Sequence, residues 1–178
     1  ELEWLATRDA LTGCVNRRSF FKMFESAWDE AQAKSRELSA VMVDIDHFKA
    51  INDNHGHARG DEVLRNVASA IVNVIAEDDV VCRYGGEEFS VFMPGTSLDE
   101  AELRAERIRL AIKALMTNNL RVTASLGVSS MAQNSASPQD LLDQADKCLF
   151  VAKRHGRNQV VRFDKAATQI AQLAVCAA

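Results

Sequence analysis

The chain has 178 residues, with 21 Lys and Arg against 25 Asp and Glu and a formal charge of −4. Apolar residues make up 47%, with only eight glycines and two prolines, which suits one globular domain able to bury about two thirds of its unfolded surface. The mildly acidic balance argues against nucleic acid as a partner, no apolar run approaches the roughly 18 residues of a membrane span, and no signal-peptide core opens the chain.

Residues 1–6 (ELEWLA) read as the end of a helix, so a piece of a longer protein is expected, with a sensory or input region removed. Residues 8–16 hold turn formers, and Asn16 is placed to cap the next helix. There Phe20, Met23, Phe24, Ala27, Trp28 and Ala31 fall on one face of an amphipathic helix of about 18 residues. Residues 38–46 (LSAVMVDID) are apolar on both faces until two aspartates, as in a central strand covered on both sides. Two helical segments follow, the second over 60–76 with Val63, Val67, Ile71 and Ile75 near helical spacing. Residues 79–84 and 87–93 read as strands of a hairpin whose Gly85-Gly86 link predicts a primed turn with positive φ.

Ser97 and Glu100 form a capping box for a helix through about residue 116. Residues 120–129 alternate apolar and polar as a half-buried strand. Ser137 and Pro138 begin the last core helix and Gly156 stops it. Residues 158–163 form a final strand, and the Ala-rich tail is a weakly held helix. Strands and helices alternating around a hairpin predict a ferredoxin-like α/β sandwich: a mainly antiparallel sheet of about five strands with helices on both faces. Cys14, Cys82, Cys148 and Cys176 stand far apart without a CxxC pair, so free thiols and a cytoplasmic location are expected.

Asp44 and Asp46 are two residues apart on a strand and share one face. Two carboxylates about 4 Å apart repel by roughly 4 kcal/mol at an effective dielectric of 20. A hard divalent cation, which prefers oxygen ligands, would offset that. The bland alternative has one aspartate capping the next helix and the other facing water. Glu87 and Glu88 follow the two glycines and point to opposite faces, so at most one can join Asp44. A carboxylate from each of two neighbouring strands would hold Mg²⁺ and leave positions for waters and phosphate oxygens. The alternative is a solvated hairpin tip. Asn52 and Asp61 offer the donors and acceptors of a purine reader, although Asp61 could simply serve a helix dipole. His55 and His57 read as polar packing groups rather than metal ligands. Lys153 and Arg157 flank the stop of the last helix and could clamp phosphates, whereas Arg154 is an ordinary dipole partner. No Walker loop and no GxGxxG run is present.

Four ordered segments together resemble the GGDEF domain of diguanylate cyclases: DALTGCVNRR over 9–18, DIDHFKAIND over 44–53 with Gly56-His57 and Gly60-Asp61 after it, RYGGEEF over 83–89, and AKRHGRN over 152–158. The resemblance divides the chain into a stalk-helix remnant at 1–8, a GGDEF domain of palm-type fold at 9–164 and a tail at 165–178. It implies condensation of two GTP into cyclic di-GMP and two pyrophosphates. Asp44, Glu87 and Glu88 are then the catalytic acids. Asp44 and Glu87 would hold Mg²⁺, or Mn²⁺ in its place, with the carbonyl of Ile45 and with Glu88 as the next ligand or proton acceptor. Asn52 and Asp61 would read guanine. Lys153 and Arg157, with backbone amides from His47 through Phe48 to Lys49, would hold the outer phosphates, and Gly85 and Gly86 would make room for the nucleotide.

Because one site takes one GTP, the resemblance implies a two-fold homodimer set by the missing stalk. It also implies that this chain alone is largely monomeric and slow, and that any membrane attachment lies in the removed region. One departure stands out. The inhibitory RxxD position reads Ala76-Glu77-Asp78-Asp79, keeping the aspartate and losing the arginine, so product inhibition there is expected to be weak or absent. Cys14, Cys148 and Phe150 replace the usual Leu, Ala and Tyr as packing changes. The competing readings are a catalytically silent GTP-binding module that regulates a partner domain, and a palm-fold relative with another nucleotide substrate.

Overall fold

A computed structural model describes residues 6–164. Its middle layer is a six-stranded sheet in the order β1-β3-β4-β2-β5-β6. The strands are β1 (Val15–Asn16), β2 (Leu38–Ile45), β3 (Val80–Arg83), β4 (Glu88–Pro94), β5 (Ala124–Ser130) and β6 (Val160–Arg162). β3, β4, β2 and β5 pair antiparallel, and β1 and β6 join as parallel edges. The main helices are α1 (Arg17–Lys34), α2 (Phe48–His55), α3 (His57–Val72), α4 (Leu98–Ala114) and α5 (Pro138–Arg154).

All eight residues of β2 are buried, because the sheet is covered on both faces. Val41, Val43 and Ile45 pack with α2, α3 and α4, while Ala40 and Met42 pack with α1 and α5. On the second face Phe24 stacks on Phe92 at 4.9 Å, and Phe20 and Trp28 complete the cluster. Burying each such side chain stabilises the fold by about 1.5–3 kcal/mol. The caps are those expected from sequence. The Asn16 side chain accepts from the Ser19 amide, Ser97 and Glu100 form a capping box, and Ser137 caps α5 ahead of Pro138.

Four local expectations change. The helix expected over 60–76 is α3 and starts earlier, at His57. Residues Val15–Asn16, read as part of a turn, add a sixth strand by pairing with β3. Neither Gly85 nor Gly86 has positive φ, so the hairpin is not a primed two-residue turn. Its loop runs over residues 84–87, and the amides of Tyr84 and Gly85 donate to the Glu88 carbonyl at 2.8 and 3.3 Å. Finally, β5 is not half-buried: all seven residues are inside, with α4 and α5 packed against it. The expected helix end at 1–6 lies almost wholly outside the described residues, as do the tail and Cys176. Cys14, Cys82 and Cys148 are buried free thiols. Among the described residues no helix is long and apolar enough to cross a membrane.

The close seat of α5 on β5 depends on Gly127. A Cβ there would lie 1.9 Å from the Ala145 carbonyl oxygen and 2.3 Å from the Leu149 nitrogen, both backbone atoms that cannot swing aside. Gly127→Ala is therefore expected to cost at least about 2 kcal/mol in urea unfolding, and a loss below about 0.5 kcal/mol would contradict this packing.

Candidate active site at the carboxyl end of the central strand

β2 ends in Asp44 and Ile45, and the chain then turns through Asp46 and His47 into α2. Asp44 and Asp46 are both buried, at 6% and 5% exposure. They share a face, as the spacing predicted. Asp46 accepts a hydrogen bond from Ser125, which is the cross-strand partner of Asp44. Neither aspartate caps α2, whose N-cap is His47 in a left-handed conformation without a side-chain cap bond.

Asp44 has three charged neighbours. Lys153 Nζ, from the last turn of α5, lies 2.7 Å from its Oδ2. Glu88 sits directly across on β4 in register with it, and Glu87 follows the glycine loop. Burial pushes the Asp44 carboxyl from its ordinary 3.8 up to about 6, the Lys153 ammonium opposes this, and the charges of Glu87 and Glu88 add to it. The acid is thus held in a place where it would rather be neutral, a common mark of a functional group.

The signature loop is braced from two sides. Arg83 donates through Nε and Nη2 to the Gly86 carbonyl at 3.0 and 2.8 Å. Its Nη1 faces Asp9, which is itself fixed by the amide and hydroxyl of Thr12. Burial pushes the Asp9 carboxyl up, but the Thr12 bonds and Arg83 hold it below the ordinary value. The Ile45 amide donates to the Glu87 carbonyl at 3.3 Å, tying the loop to β2. Neither glycine is needed for handedness. A Cβ on Gly86 would meet nothing within 4 Å, and one on Gly85 would touch Glu88 Oε2 at 3.0 Å.

On the far side of the loop lies an open cleft of about 460 Å³ lined by Phe48, Lys49, Asn52, His57, Asp61, Leu64, Arg83, Gly86 and Glu87. Six of the residues singled out in the sequence meet here: Asn52, Asp61, Phe48, Lys49, Gly86 and Glu87. Asp61 is the fifth residue of α3, beyond the first turn, so a helix-dipole role does not explain it. Asp44, Glu88 and Lys153 form a second group on the α5 face of the sheet. Arg157 stands just beyond α5 in a left-handed conformation with φ 62°. Gly85 lies in the loop between the two groups.

Gly60 was missed as a site residue. A Cβ there would fall 2.0 Å from Asn52 Oδ1 and 3.2 Å from the Phe48 ring. The Asn52 amide therefore occupies the space that a side chain on α3 would fill. A glycine inside a helix costs about 1 kcal/mol relative to alanine, and that was the available signal.

The residues suit a hard divalent cation, because the donors are carboxylate oxygens on two adjacent strands with the Ile45 backbone beside them. Among the described residues, however, no three acidic, imidazole or thiol side chains gather closely enough to hold a metal by themselves. Phosphate oxygens would have to complete such a site.

The family described as "Diguanylate cyclase, GGDEF domain" matches residues 6–159. The response regulator PleD of Caulobacter vibrioides is 44% identical over 163 residues, covering 88% of this chain and 36% of PleD. Diguanylate cyclase DgcM of Escherichia coli is 39% identical over 162 residues, covering 90% of this chain and 39% of DgcM. The chain thus spans well under half the length of these curated relatives. Among solved structures, the GGDEF domain of DgcB from Caulobacter crescentus, in complex with c-di-GMP, superposes with a TM-score of 0.84 at 34% identity, covering 89% of this chain and 96% of that one. The active GGEEF domain of a diguanylate cyclase from Vibrio cholerae gives 0.80 at 35% identity, covering 84% and 97%. With four motifs intact and the fold shared, the chain belongs to the GGDEF domain family of diguanylate cyclases.

Proposed function

We propose that this domain is a working diguanylate cyclase that joins two GTP into cyclic di-GMP with release of two pyrophosphates. The observation that carries the reading is the buried Asp44 facing Glu88 across β2 and β4, beside a cleft lined by Asn52 and Asp61.

In this reading guanine enters the cleft between α2 and α3. The Asn52 amide and the Asp61 carboxylate pair with its edge, and Phe48 and Leu64 supply apolar walls. The triphosphate crosses Gly86 toward α5, where Lys153 and Arg157 take the outer phosphates with the amides that open α2. Lys153 exchanges its bond to Asp44 for one to phosphate. Asp44, the Ile45 carbonyl and Glu87 would then hold Mg²⁺, with Mn²⁺ as an alternative and Glu88, opposite Asp44 on β4, as the next ligand or proton acceptor. Bound there, the cation neutralises phosphate charge and lowers the pKa of the attacking hydroxyl. Such transfer is mostly positioning and charge neutralisation around an in-line attack. The 3′-hydroxyl of one GTP attacks the α-phosphorus of the other, its proton passes to a carboxylate of the Glu87–Glu88 pair, and pyrophosphate leaves. Because each domain takes one GTP, the active species is a two-fold homodimer.

Product inhibition at the family's RxxD position is weak or absent in this reading. Ala76 offers no fork to grip guanine or phosphate. The Asp79 carboxylate is already taken by Arg104 Nη1 at 2.6 and 2.9 Å and by the Ala76 amide at 2.8 Å.

Chromatography of GTP incubated with the protein and Mg²⁺ is expected to show cyclic di-GMP, with specific activity rising as protein concentration increases and no slowing by micromolar product. The Glu87→Ala, Glu88→Ala double variant should make none. Equal output from parent and double variant would contradict the assignment. A second outcome concerns Gly60. Gly60→Ala should displace Asn52 and raise KM for GTP roughly tenfold, the worth of about one good hydrogen bond, while Tm moves by less than about 4 °C. An unchanged KM would remove Asn52 from guanine recognition.

A further inference from the structure

The second aspartate of the pair, Asp46, plays no part in the reaction described above, yet its carboxylate is 5% exposed and accepts three hydrogen bonds. Ser125 Oγ donates to Oδ1 at 2.7 Å. Thr123 Oγ1 and the backbone amide of Asn158 donate to Oδ2 at 2.6 and 3.1 Å. Two of these donors belong to β5 and the residues leading into it. The third is the amide immediately after Arg157.

That turn needs holding. Gly156, Arg157 and Asn158 are three consecutive residues with φ of 104°, 62° and 46°. Glycine adopts such angles freely and asparagine tolerates them, but the Arg157 side chain crowds its own backbone there. A left-handed run of this kind persists only where its surroundings over-determine it. Two brackets do so from opposite sides. Asp46 receives the Asn158 amide. Arg109, on α4, donates through Nη1 to Asn158 Oδ1 at 2.7 Å and is itself gripped by both carboxylate oxygens of Glu106 at 2.8 and 2.6 Å. The Arg157 amide meanwhile bonds back to the Ala152 carbonyl of α5 at 3.0 Å.

We infer that Asp46 is a positioning residue for triphosphate recognition: it fixes the left-handed turn that aims Arg157, and so joins the strand carrying Asp44 to the phosphate end of the site. The inference rests on the proposed role of Arg157 as a phosphate clamp. A charged acceptor suits the task, because hydrogen bonds to a carboxylate are about twice as strong as neutral ones. Asparagine in its place keeps one neutral acceptor oxygen for the Asn158 amide and can turn its N–H₂ to the Ser125 hydroxyl, so what it removes is the charge that strengthens these bonds. The proximity is set by sequence: two residues after Asp44 and on the same face, Asp46 reaches both β5 and the turn beyond α5.

The test compares binding of 3′-deoxy-GTP, which lacks the attacking hydroxyl, with binding of GMP by calorimetry in Mg²⁺. The intact protein should strongly prefer the triphosphate. Asp46→Asn should weaken 3′-deoxy-GTP at least tenfold and GMP less than twofold. Arg157→Ala should weaken the triphosphate in the parent and add less than threefold in the Asp46→Asn background. Arg109→Gln, on the other bracket and outside the apolar core clusters, should show the same selective loss at about threefold; it carries the test if Asp46→Asn does not fold. Equal losses for both nucleotides, no loss in either variant, or full additivity of Asp46→Asn with Arg157→Ala would each overturn the role of Asp46. An intact protein that binds the two nucleotides alike would overturn the Arg157 clamp itself and the inference with it.

Discussion

The end of β2 places an acid where burial opposes its charge and then surrounds it with two further acids and one lysine. Asp44 lies 2.7 Å from Lys153 and opposite Glu88, with its carboxyl pushed up to about 6. Its pKa is raised above the unfolded value, so the folded chain holds the proton more tightly than the unfolded chain. Charging Asp44 therefore weakens the fold as pH rises from about 4 to about 6. A cation held by Asp44 would reverse that sign. A site that costs stability when empty and recovers it when filled is the usual pattern of a functional centre.

Everything that locates this centre follows from how the sheet is covered. β2 is central because both its faces are apolar, and α5 reaches it because Gly127 lets the helix backbone settle onto β5. That seat puts Lys153 over Asp44 and puts the turn of Arg157 beside Asp46. On the other face, Gly60 lets α3 close on α2 so that Asn52 and Asp61 share one cleft with Glu87. The loop between the two groups is held by Arg83 and, through it, by Asp9. The opening motif thus reaches the signature loop by hydrogen bonds, while its Leu11 and Cys14 share a core cluster with Phe89.

Much of this was legible in the sequence because its causes are local. Asn16, Ser97 and Ser137 cap the helices they precede, since a side-chain oxygen there meets an unpaired amide within three residues. The period of two placed Asp44 and Asp46 on one face. The elements that were misread depend on distant partners. β1 is two residues long and exists because β3 runs beside it. β5 looked half-buried because it carries serines, but Ser125 and Ser129 are inside and bonded to Asp46 and Gln144. Gly85 and Gly86 suggested a primed turn, whereas neither has positive φ and the loop runs over four residues, held by Arg83 and by the Glu88 carbonyl. The hydrogen-bond partners of Asp46 were invisible for the same reason, since they lie on other elements, and Gly60 showed itself only as a glycine within a helical run.

The most direct measurement is the titration of the Asp44 carboxyl carbon by ¹³C NMR, first in metal-free protein and then with Mg²⁺ and 3′-deoxy-GTP. The account predicts an apparent pKa near 6 without ligands, falling below the ordinary carboxylate range once cation and nucleotide are bound. An Asp44 that titrates near 4 in both conditions, or that stays near 6 when the nucleotide is bound, would contradict it.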